Sequence, residues 1–468
     1  MGWDVMNRRN EFTKPRDKYK MLEAYGPNVT TAEGKVYNFH VRITAPPFSD
    51  QNGANDLVWK ETMFQTRLLM ESWSKETSRE LQLDVNALTL AVISLTGFGR
   101  RVDWTSKSKD ESKPPSGYRI SFLKAIHDTT GYITAILLFP RWFLSLTPWR
   151  EAAVAHQQLE KYMRELIRSE KAQISQNKDH QSSTAHGNLL KSLLKASAAE
   201  GAANSNPNTK KQGFTEDEVL GNLFLYLLAG YETTANAILY GLIVLALRPD
   251  LQANVALEID RIHAEATSEG RTELTYMQDF EKLEYTYGFM YETFRLYPGV
   301  IIVTKMVNEA TSILVSPTEG PDSPPRTHIL PRECRVYLNA PAVHYTERYW
   351  PDCTVLDPSR WAKAVTAPNR DETDLPTADK KVVAADKTRQ VRGSLLTFSG
   401  GARACLGRKF AQSEFISFLV TLLKDHEVVL GPGMDPVTVK RDIDLRAAGK
   451  LTLSPVDNIK LGLKKRVK

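Results

Sequence analysis

The sequence predicts a mainly α-helical protein with a small β region, because helical periodicity covers most of the chain and short strand-like runs cluster late. Apolar residues recur at intervals of three and four in long segments at 57–76, 151–174, 219–247, 250–266 and 281–297. The strand-like runs lie at 300–307, 311–315, 334–341, 427–431 and 450–455. This pattern predicts a small sheet packed beside a helical body.

The composition is that of an ordinary globular protein. The 468 residues are 42% hydrophobic and 25% charged, and the net charge is only +6. This length allows a large buried core, and so mild a basic excess gives no reason to expect a nucleic-acid partner. No repeat or linker composition interrupts the chain, so a single domain over residues 1–468 is predicted. Polar segments predicted to be exposed loops lie at 178–213, 316–327 and 362–394.

Cysteine usage and apolar stretches bear on the compartment. The 3 cysteines are an odd number without a CxxC pair, which argues against a disulfide framework and for a reducing compartment. The N-terminus has no apolar core of ~7–15 residues, so neither a signal peptide nor a membrane anchor is expected.

The run at 219–247 carries Glu232 and Asn236, which favours a helix buried in protein. The run at 131–149 is broken at Pro140 and is predicted to be a core or membrane-surface helix.

The long helix has a marked start and an unusual middle. Thr215 and Glu218 have the spacing of a capping box, which predicts that the helix begins there. Gly230, Thr233 and Thr234 are poor helix formers placed inside an otherwise strong helix. Two interpretations remain: a close helix crossing at Gly230 with Thr233 bonding back to a carbonyl, or a functional site.

A glycine-rich loop carries one cysteine just before a helix. Residues 398–407 read FSGGARACLG, and both the helix N-terminus and Arg403 can stabilise a Cys405 thiolate. Cys334 and Cys353 are interpreted as small buried hydrophobes. A single thiolate cannot form a closed zinc site, so Cys405 is a candidate nucleophile or an axial haem ligand. Glycines would let the backbone approach a planar macrocycle closely.

The loop resembles the haem-binding loop of the cytochrome P-450 superfamily. The matching positions are Phe398, Gly401, Arg403, Cys405 and Gly407. Five fixed positions of these types recur by chance in such a chain on the order of once in ten thousand or less. The resemblance implies that haem, iron protoporphyrin IX, is bound through the Cys405 thiolate. It also implies haem contacts from Phe398, Gly401 and Arg403.

Two upstream motifs occur in the same order as in that superfamily. Glu292 and Arg295 resemble its ExxR helix, and at this spacing they share a helix face and can pair. The segment 357–361, DPSRW, resembles the region whose arginine, here Arg360, completes a Glu-Arg-Arg network. The resemblance implies that this network locks the segment beneath the haem.

The middle of the long helix is similar to the family's distal helix. The resemblance implies that Thr233 hydrogen-bonds the oxygen species bound to the iron and that Glu232 feeds protons. A hydroxyl and an ionisable carboxylate suit that division of labour, and thiolate ligation favours O–O cleavage. The implied activity is a monooxygenase that inserts one oxygen atom from O2 into a substrate and reduces the other atom to water.

The expected partners follow from the same resemblance. An apolar small-molecule substrate is expected in a pocket formed by 225–230 and 300–304. An NADPH-dependent flavin reductase is expected on the face carrying Arg408 and Lys409. The protein is expected to be a monomer. Complete microsomal relatives lie on the endoplasmic reticulum membrane, whereas a chain without an anchor would be cytoplasmic, with peripheral lipid contact through 131–149.

The sequence also departs from the family pattern. Tyr37 and Val41 stand where a tryptophan and an arginine are usual, and that arginine contacts a haem propionate. Arg403, Lys305 or His40 are the residues expected to replace its charge. The usual N-terminal anchor, first helix and first strands do not precede this region, so an N-terminally incomplete domain with exposed strand edges and reduced stability is expected.

Two other functions stay open from the sequence. A haem-thiolate isomerase or lyase would rearrange a peroxide without external electrons, although the Glu232-Thr233 pair disfavours it. A degenerate, non-catalytic haem-binding protein is suggested by Tyr37 and Val41. Dependence of turnover on NADPH and a reductase, or on hydroperoxide alone, would separate the two enzymatic functions.

Overall fold

The computed structural model is mostly helical with small antiparallel sheets, which confirms the predicted fold class. It describes residues 2–50, 53–73, 81–102, 114–176, 188–203, 205–206, 209–210, 213–315, 324–361, 393–449, 452–456 and 458–467. Most of the polar segment predicted at 362–394 lies outside the described residues.

α-Helices make up most of the structure. They are α1 Gly2–Asn7, α2 Arg16–Tyr19, α3 Gly34–Thr44, α4 Ala54–Trp73, α5 Leu81–Phe98, α6 Phe122–Gly131, α7 Ile133–Leu138, α8 Arg141–Ser145, α9 Arg150–Gln176, α10 Leu189–Ala203, α11 Glu216–Leu247, α12 Pro249–Ser268, α13 Tyr276–Asp279, α14 Glu284–Leu296, α15 Ala340–His344, α16 Arg408–Leu423 and α17 Pro436–Leu445.

The strands are short. They are β1 Phe12–Thr13, β2 Ser205–Asn206, β3 Thr209–Lys210, β4 Ile302–Val307, β5 Thr311–Val315, β6 Arg326–Leu330, β7 Arg335–Asn339, β8 His426–Leu430, β9 Ala448–Gly449, β10 Leu453–Ser454 and β11 Leu461–Lys465. The largest described sheet has the order β1-β4-β7, and both of its pairings are antiparallel. β5 pairs with β6 and β8 with β11, also antiparallel.

The chain divides into two compact units. One comprises residues 1–15, 236–408 and 418–468, and it contains the main sheet, the ExxR helix α14 and the cysteine loop. Its sheet core is a cluster of buried apolar residues, Val5, Met6, Phe12, Val307, Ile313, Leu338, Ala340 and Leu396. The other comprises residues 16–235 and 409–417, with α2 to α10, most of α11 and the start of α16. The single domain over 1–468 stays a prediction.

The helix α11 begins as the sequence predicts. The backbone N–H of Glu218 donates to Thr215 Oγ1 at 3.2 Å, and the N–H of Thr215 donates to Glu218 Oε2 at 2.8 Å. This reciprocal capping box satisfies two N–H groups that the helix leaves unpaired. The helix ends at Leu247, two residues before Pro249, where a proline would interrupt the ladder.

One predicted loop contains a helix instead. Residues 189–203 of the polar segment 178–213 form α10. Leucines at positions 189, 190, 193 and 194 have helical spacing and are buried. Polar sequence flanks this short amphipathic segment on both sides, so the average composition of the stretch is that of a loop.

The most apolar stretches of the sequence form helices in the structure. Leu81–Phe98 and Glu216–Leu247 are long and apolar enough to cross a membrane, although 67% and 72% of their apolar windows are buried inside the protein. The segment 131–149 forms the short helices α7 and α8, which separate at Phe139 and Pro140. The predicted break at Pro140 is therefore present.

Candidate active site

The cysteine loop closes on itself. The N–H of Cys405 donates to the carbonyl of Phe398 at 2.9 Å, and the N–H of Ser399 donates to the carbonyl of Leu396 at 2.9 Å. The Phe398 ring packs edge-on against Phe294 of the ExxR helix, with centroids 5.6 Å apart. Because α16 begins at Arg408, Cys405 lies at the entrance to a helix, as predicted.

The glycines of this loop make room for α1. Gly401 has a φ of +63°, and a Cβ there would lie 2.8 Å from the carbonyl oxygen of Met6. A side chain at Gly400 would meet the Met6 thioether at 3.2–3.3 Å. Glycine is therefore required at position 401 because the backbone is left-handed and lies against α1. The sequence alone did not indicate this requirement. The contact of Gly401 with haem stays a prediction.

The Cys405 side chain is exposed although protein surrounds it. The residue is exposed, yet the neighbouring protein raises the pKa of its thiol by desolvation. The backbone of Gly407 and the charges of Arg408 and Lys14 oppose that rise in pKa. An exposed cysteine with partly desolvated surroundings fits an external metal such as haem iron, which would hold the sulfur as a thiolate.

Glu292 and Arg295 form a fully buried ion pair on α14. Arg295 Nε donates to Glu292 Oε1 at 2.7 Å and Nη2 donates to Oε2 at 2.8 Å. Arg360 is third, with its Nε 3.6 Å from Glu292 Oε2. The Glu-Arg-Arg arrangement that the resemblance implies is therefore present, with Arg360 the more distant partner.

The ion pair also anchors the segment after α15. Arg295 donates to the carbonyls of His344, Cys353 and Val355 at 3.0, 2.5 and 2.9 Å. The N–H of Asp357 and the indole N–H of Trp361 donate to the Glu292 carboxylate at 2.9 and 3.0 Å. Since both charges are paired and hydrogen-bonded, their burial is compensated.

His344 links this network to the cysteine loop, and sequence reasoning missed it. Its Nδ1–H donates to the carbonyl of Arg295 at 2.9 Å, while Nε2 accepts from the N–H of Leu396 at 2.8 Å. Burial lowers the pKa of His344 to about 4, so the ring is neutral and keeps this tautomer. No motif marks a lone histidine as a bridge between two distant segments.

In the other unit, α11 exposes a strip of small side chains. Ala229 is exposed and Gly230 and Thr233 are half-buried, whereas Glu232 is buried. Thr233 Oγ1 donates to the carbonyl of Ala229 at 2.6 Å. A Cβ at Gly230 would lie 3.2 Å from the Ile93 side chain of α5. The predicted helix crossing and back-bond are therefore both present, at the place where the catalytic pair is predicted.

The residues proposed to replace the missing propionate arginine differ in their surroundings. His40 is fully buried, with Nε2 3.3 Å from Glu218 Oε1 and its other ring nitrogen 3.5 Å from Asn222 Nδ2. It is therefore already engaged with α11. Lys305 is buried on β4 and Arg403 is half-buried.

Comparison with known proteins defines the class. The Cytochrome P-450 family model matches residues 4–451. Cytochrome P-450 monooxygenase prx9 of Penicillium rubens is 60% identical over 468 residues, covering 100% of this chain and 79% of that protein. Monooxygenase ORF6 of Penicillium roqueforti has the same identity and coverage. The heme domain of cytochrome P-450DA superposes with a TM-score of 0.70 at 17% identity, covering 99% of this chain and 86% of that one.

The fold and the family match define a haem-thiolate oxidoreductase. The chain belongs to the cytochrome P-450 family and is a monooxygenase that incorporates oxygen from O2. Its cofactor is haem with a cysteine thiolate ligand, and it works with a substrate, O2 and a redox partner.

Proposed function

We propose that Cys405 is the axial ligand and that the enzyme inserts oxygen into an apolar small molecule. The observation that carries the ligand assignment is that Cys405 is exposed on a loop that His344 links to Arg295 of the buried Glu292–Arg295 pair. Bound haem supplies the activation of O2. Phe398, Gly401 and Arg403 belong to the same loop and are the proposed haem contacts.

Thr233 and Glu232 are proposed to handle the protons. The Thr233 hydroxyl donates its hydrogen to Ala229, so its oxygen presents lone pairs toward the open side of α11 and can accept a hydrogen bond there. Glu232 is buried next to it in sequence, and a carboxylate can deliver protons that a hydroxyl relays. Isomerisation of a peroxide would need no such pair.

The propionate charge is proposed to be met by Lys305 and Arg403. His40 is a poorer candidate because its ring nitrogens face Glu218 and Asn222. Lysine can supply the charge as a point cation, whereas an arginine can bind a carboxylate with two parallel hydrogen bonds.

An apolar substrate suits the exposed side chains of each unit. Val300 and Ile302 expose 42% and 43% of their surface at the start of β4, and Ala229 and Gly230 contribute only small groups on α11. Sites of this composition select by shape more than by hydrogen bonding.

An NADPH-dependent flavin reductase is the proposed electron donor, docking near Arg408 and Lys409. Lys409 pairs with Asp50 in the structure, so Asp50 offsets part of the positive charge that Lys409 presents to a partner. Steering by basic side chains is sensitive to salt, and turnover with reductase is expected to fall as ionic strength rises.

Membrane contact is proposed through α7, α8 and the following turn. Leu138, Trp142 and Leu146 expose 68%, 68% and 80% of their surface, and Trp149 is also exposed. Tryptophans beside a basic residue such as Arg150 suit a lipid interface. The proposed location is therefore the endoplasmic reticulum surface, with the protein itself a monomer.

The deciding experiment is the carbon monoxide difference spectrum of the reduced protein. A strongly red-shifted Soret band is expected for the wild type and for Cys353→Ser, and its loss is expected for Cys405→Ser. Turnover that requires NADPH and reductase supports monooxygenation, and turnover with hydroperoxide alone would favour the isomerase. Haem binding without a red-shifted band would overturn the proposal and favour a non-catalytic protein.

A further inference from the structure

A continuous set of aromatic rings leads away from the cysteine loop. Phe398, whose carbonyl accepts from the N–H of Cys405, contacts Tyr291 of α14 with ring centroids 6.2 Å apart. Tyr291 stacks on Trp361 at 4.5 Å and contacts Tyr287 at 4.8 Å. Trp361 continues to Trp350 at 5.7 Å.

The rings differ in chemistry and in exposure. Tyrosine and tryptophan are the aromatic side chains that lose one electron most readily, and phenylalanine can serve only as a spacer. Tyr291, Trp361 and Trp350 are buried, whereas Tyr287 is half-buried. The set therefore has an inner end at the cysteine loop and an outer end at Tyr287.

Charges decide where an electron vacancy would rest. The indole N–H of Trp361 donates to Glu292 Oε1 at 3.0 Å, and a nearby carboxylate stabilises positive charge on that ring. The guanidinium carbon of Arg295 lies 5.2 Å from the centroid of Trp350. A cation over a ring is attracted to its electrons, so removing an electron from Trp350 would turn that attraction into repulsion. Trp361 is the favoured site.

We propose that Tyr291, Trp361 and Tyr287 form a redox relay that drains oxidising equivalents from the haem side when O2 is activated without a substrate to oxidise. The proposal rests on the haem-thiolate function assigned above. It gives the enzyme a protective second activity, since otherwise the oxidising equivalent would attack Cys405 or the Met6 thioether beside Gly400.

The relay balances in one-electron steps. Trp361 gives one electron, through Tyr291, to the oxidising haem site, and its indole radical cation is held by the Glu292 carboxylate. Tyr287 then returns an electron to Trp361 through Tyr291, more slowly than Trp361 is oxidised, and releases its phenolic proton to water. A one-electron donor in solution, of the ascorbate or thiol class, restores the electron, and water returns the proton to Tyr287.

The test uses the ferric holoprotein mixed with a peracid in the absence of substrate. Rapid-freeze electron paramagnetic resonance is expected to show a protein radical whose spectrum changes when tryptophan is deuterated. Trp361→Phe is expected to lose that deuterium-sensitive signal, to bleach the Soret band several-fold faster and to increase oxidation of Cys405 and Met6 in peptide mass spectra.

Matched variants control for general effects. Tyr118→Phe removes the redox-active hydroxyl from one ring of the stacked Tyr118–Tyr162 pair, whose centroids are 3.8 Å apart in the other unit, and is expected to behave as wild type. Trp350→Phe is expected to keep the radical. If Trp361→Phe does not fold, Tyr291→Phe keeps the ring shape and is expected to reduce the tryptophan radical.

Three outcomes would overturn the relay. They are no tryptophan radical in a protein with the red-shifted carbon monoxide band, a radical that survives both Trp361→Phe and Tyr291→Phe, or equal bleaching in Trp361→Phe and Tyr118→Phe. Absence of the red-shifted band would instead overturn the haem-thiolate function, and the relay with it.

Discussion

The surroundings of Glu292 and of Thr233 are built in opposite ways. Glu292 and Arg295 are fully buried, and each is bonded to several groups of the segment at 344–361. Thr233 lies in a helix that keeps only small groups on its open side and bonds back to its own helix at Ala229. The comparison teaches that the network at Glu292 fixes the segment at 344–361, whereas the turn at Thr233 keeps small side chains exposed, which suits the role proposed for it. Substitutions should therefore damage folding at the first and chemistry at the second.

The largest effect is expected from Arg295→Leu. Removing one partner of a buried pair leaves an uncompensated charge, and the free energy of unfolding should fall by about 3–5 kcal/mol. Denaturant unfolding measures this. Arg248→Leu is the control, because its exposed pair with Asp250 at 2.6 Å is worth less than about 1 kcal/mol. Equal losses in both variants would contradict the special role of the buried pair.

Acid should weaken the same network through His344. Its pKa is about 4 in the folded chain and about 6.5 when unfolded. The unfolded chain binds more protons between these values, so stability falls as pH decreases from about 6.5 to about 4, by up to roughly 3 kcal/mol. His156 also has a pKa of about 4, but it is present in both wild type and His344→Gln. Comparing the unfolding of these two proteins across this pH range therefore isolates the contribution of His344. Identical pH slopes would contradict it.

A smaller loss is expected at Gly401. Gly433→Ala, at a φ of +79° with nothing within 4 Å of its Cβ, should cost about 1–2 kcal/mol for left-handed backbone alone. Gly401→Ala should cost more, because its Cβ would also lie 2.8 Å from the Met6 carbonyl, and it should weaken haem retention. Thermal unfolding and haem titration measure both. A Gly401→Ala protein no less stable than Gly433→Ala would show that α1 moves away easily.

The smallest change in stability is expected from Thr233→Ala. Loss of one back-bonded hydroxyl should alter unfolding by no more than about 0.5 kcal/mol, while product formed per NADPH falls several-fold. Thr267→Ala removes the same kind of bond, from Oγ1 to the carbonyl of His263 at 2.8 Å on an exposed part of α12, and should leave this ratio unchanged. Unaltered coupling in Thr233→Ala would contradict the proton-handling role.

The sequence predicted the features that local rules determine. Helical periodicity located α4, α9, α11, α12 and α14, and the capping box at Thr215 set the start of α11. The motif around Cys405 identified the family because its five positions lie within one short loop. The cofactor and the activity followed from that resemblance.

Long-range contacts escaped sequence reasoning. His344 acts between Arg295 and Leu396, 49 and 52 residues away, and no local pattern encodes such a bridge. The reason for Gly401 depends on α1, almost four hundred positions earlier in the chain. The short strands Phe12–Thr13 and Arg326–Leu330 also depend on partners supplied by tertiary pairing.

The packing of α1 against the cysteine loop has a practical consequence for protein production. Trp3 lies against Gly393, and Met6 lies against Gly400 and Gly401, so the first residues of the chain support the loop directly. An affinity tag fused at this end is expected to disturb the segment that packs against the loop. Val467, near the other end, is 93% exposed, so a purification handle attached there is expected to leave the loop undisturbed.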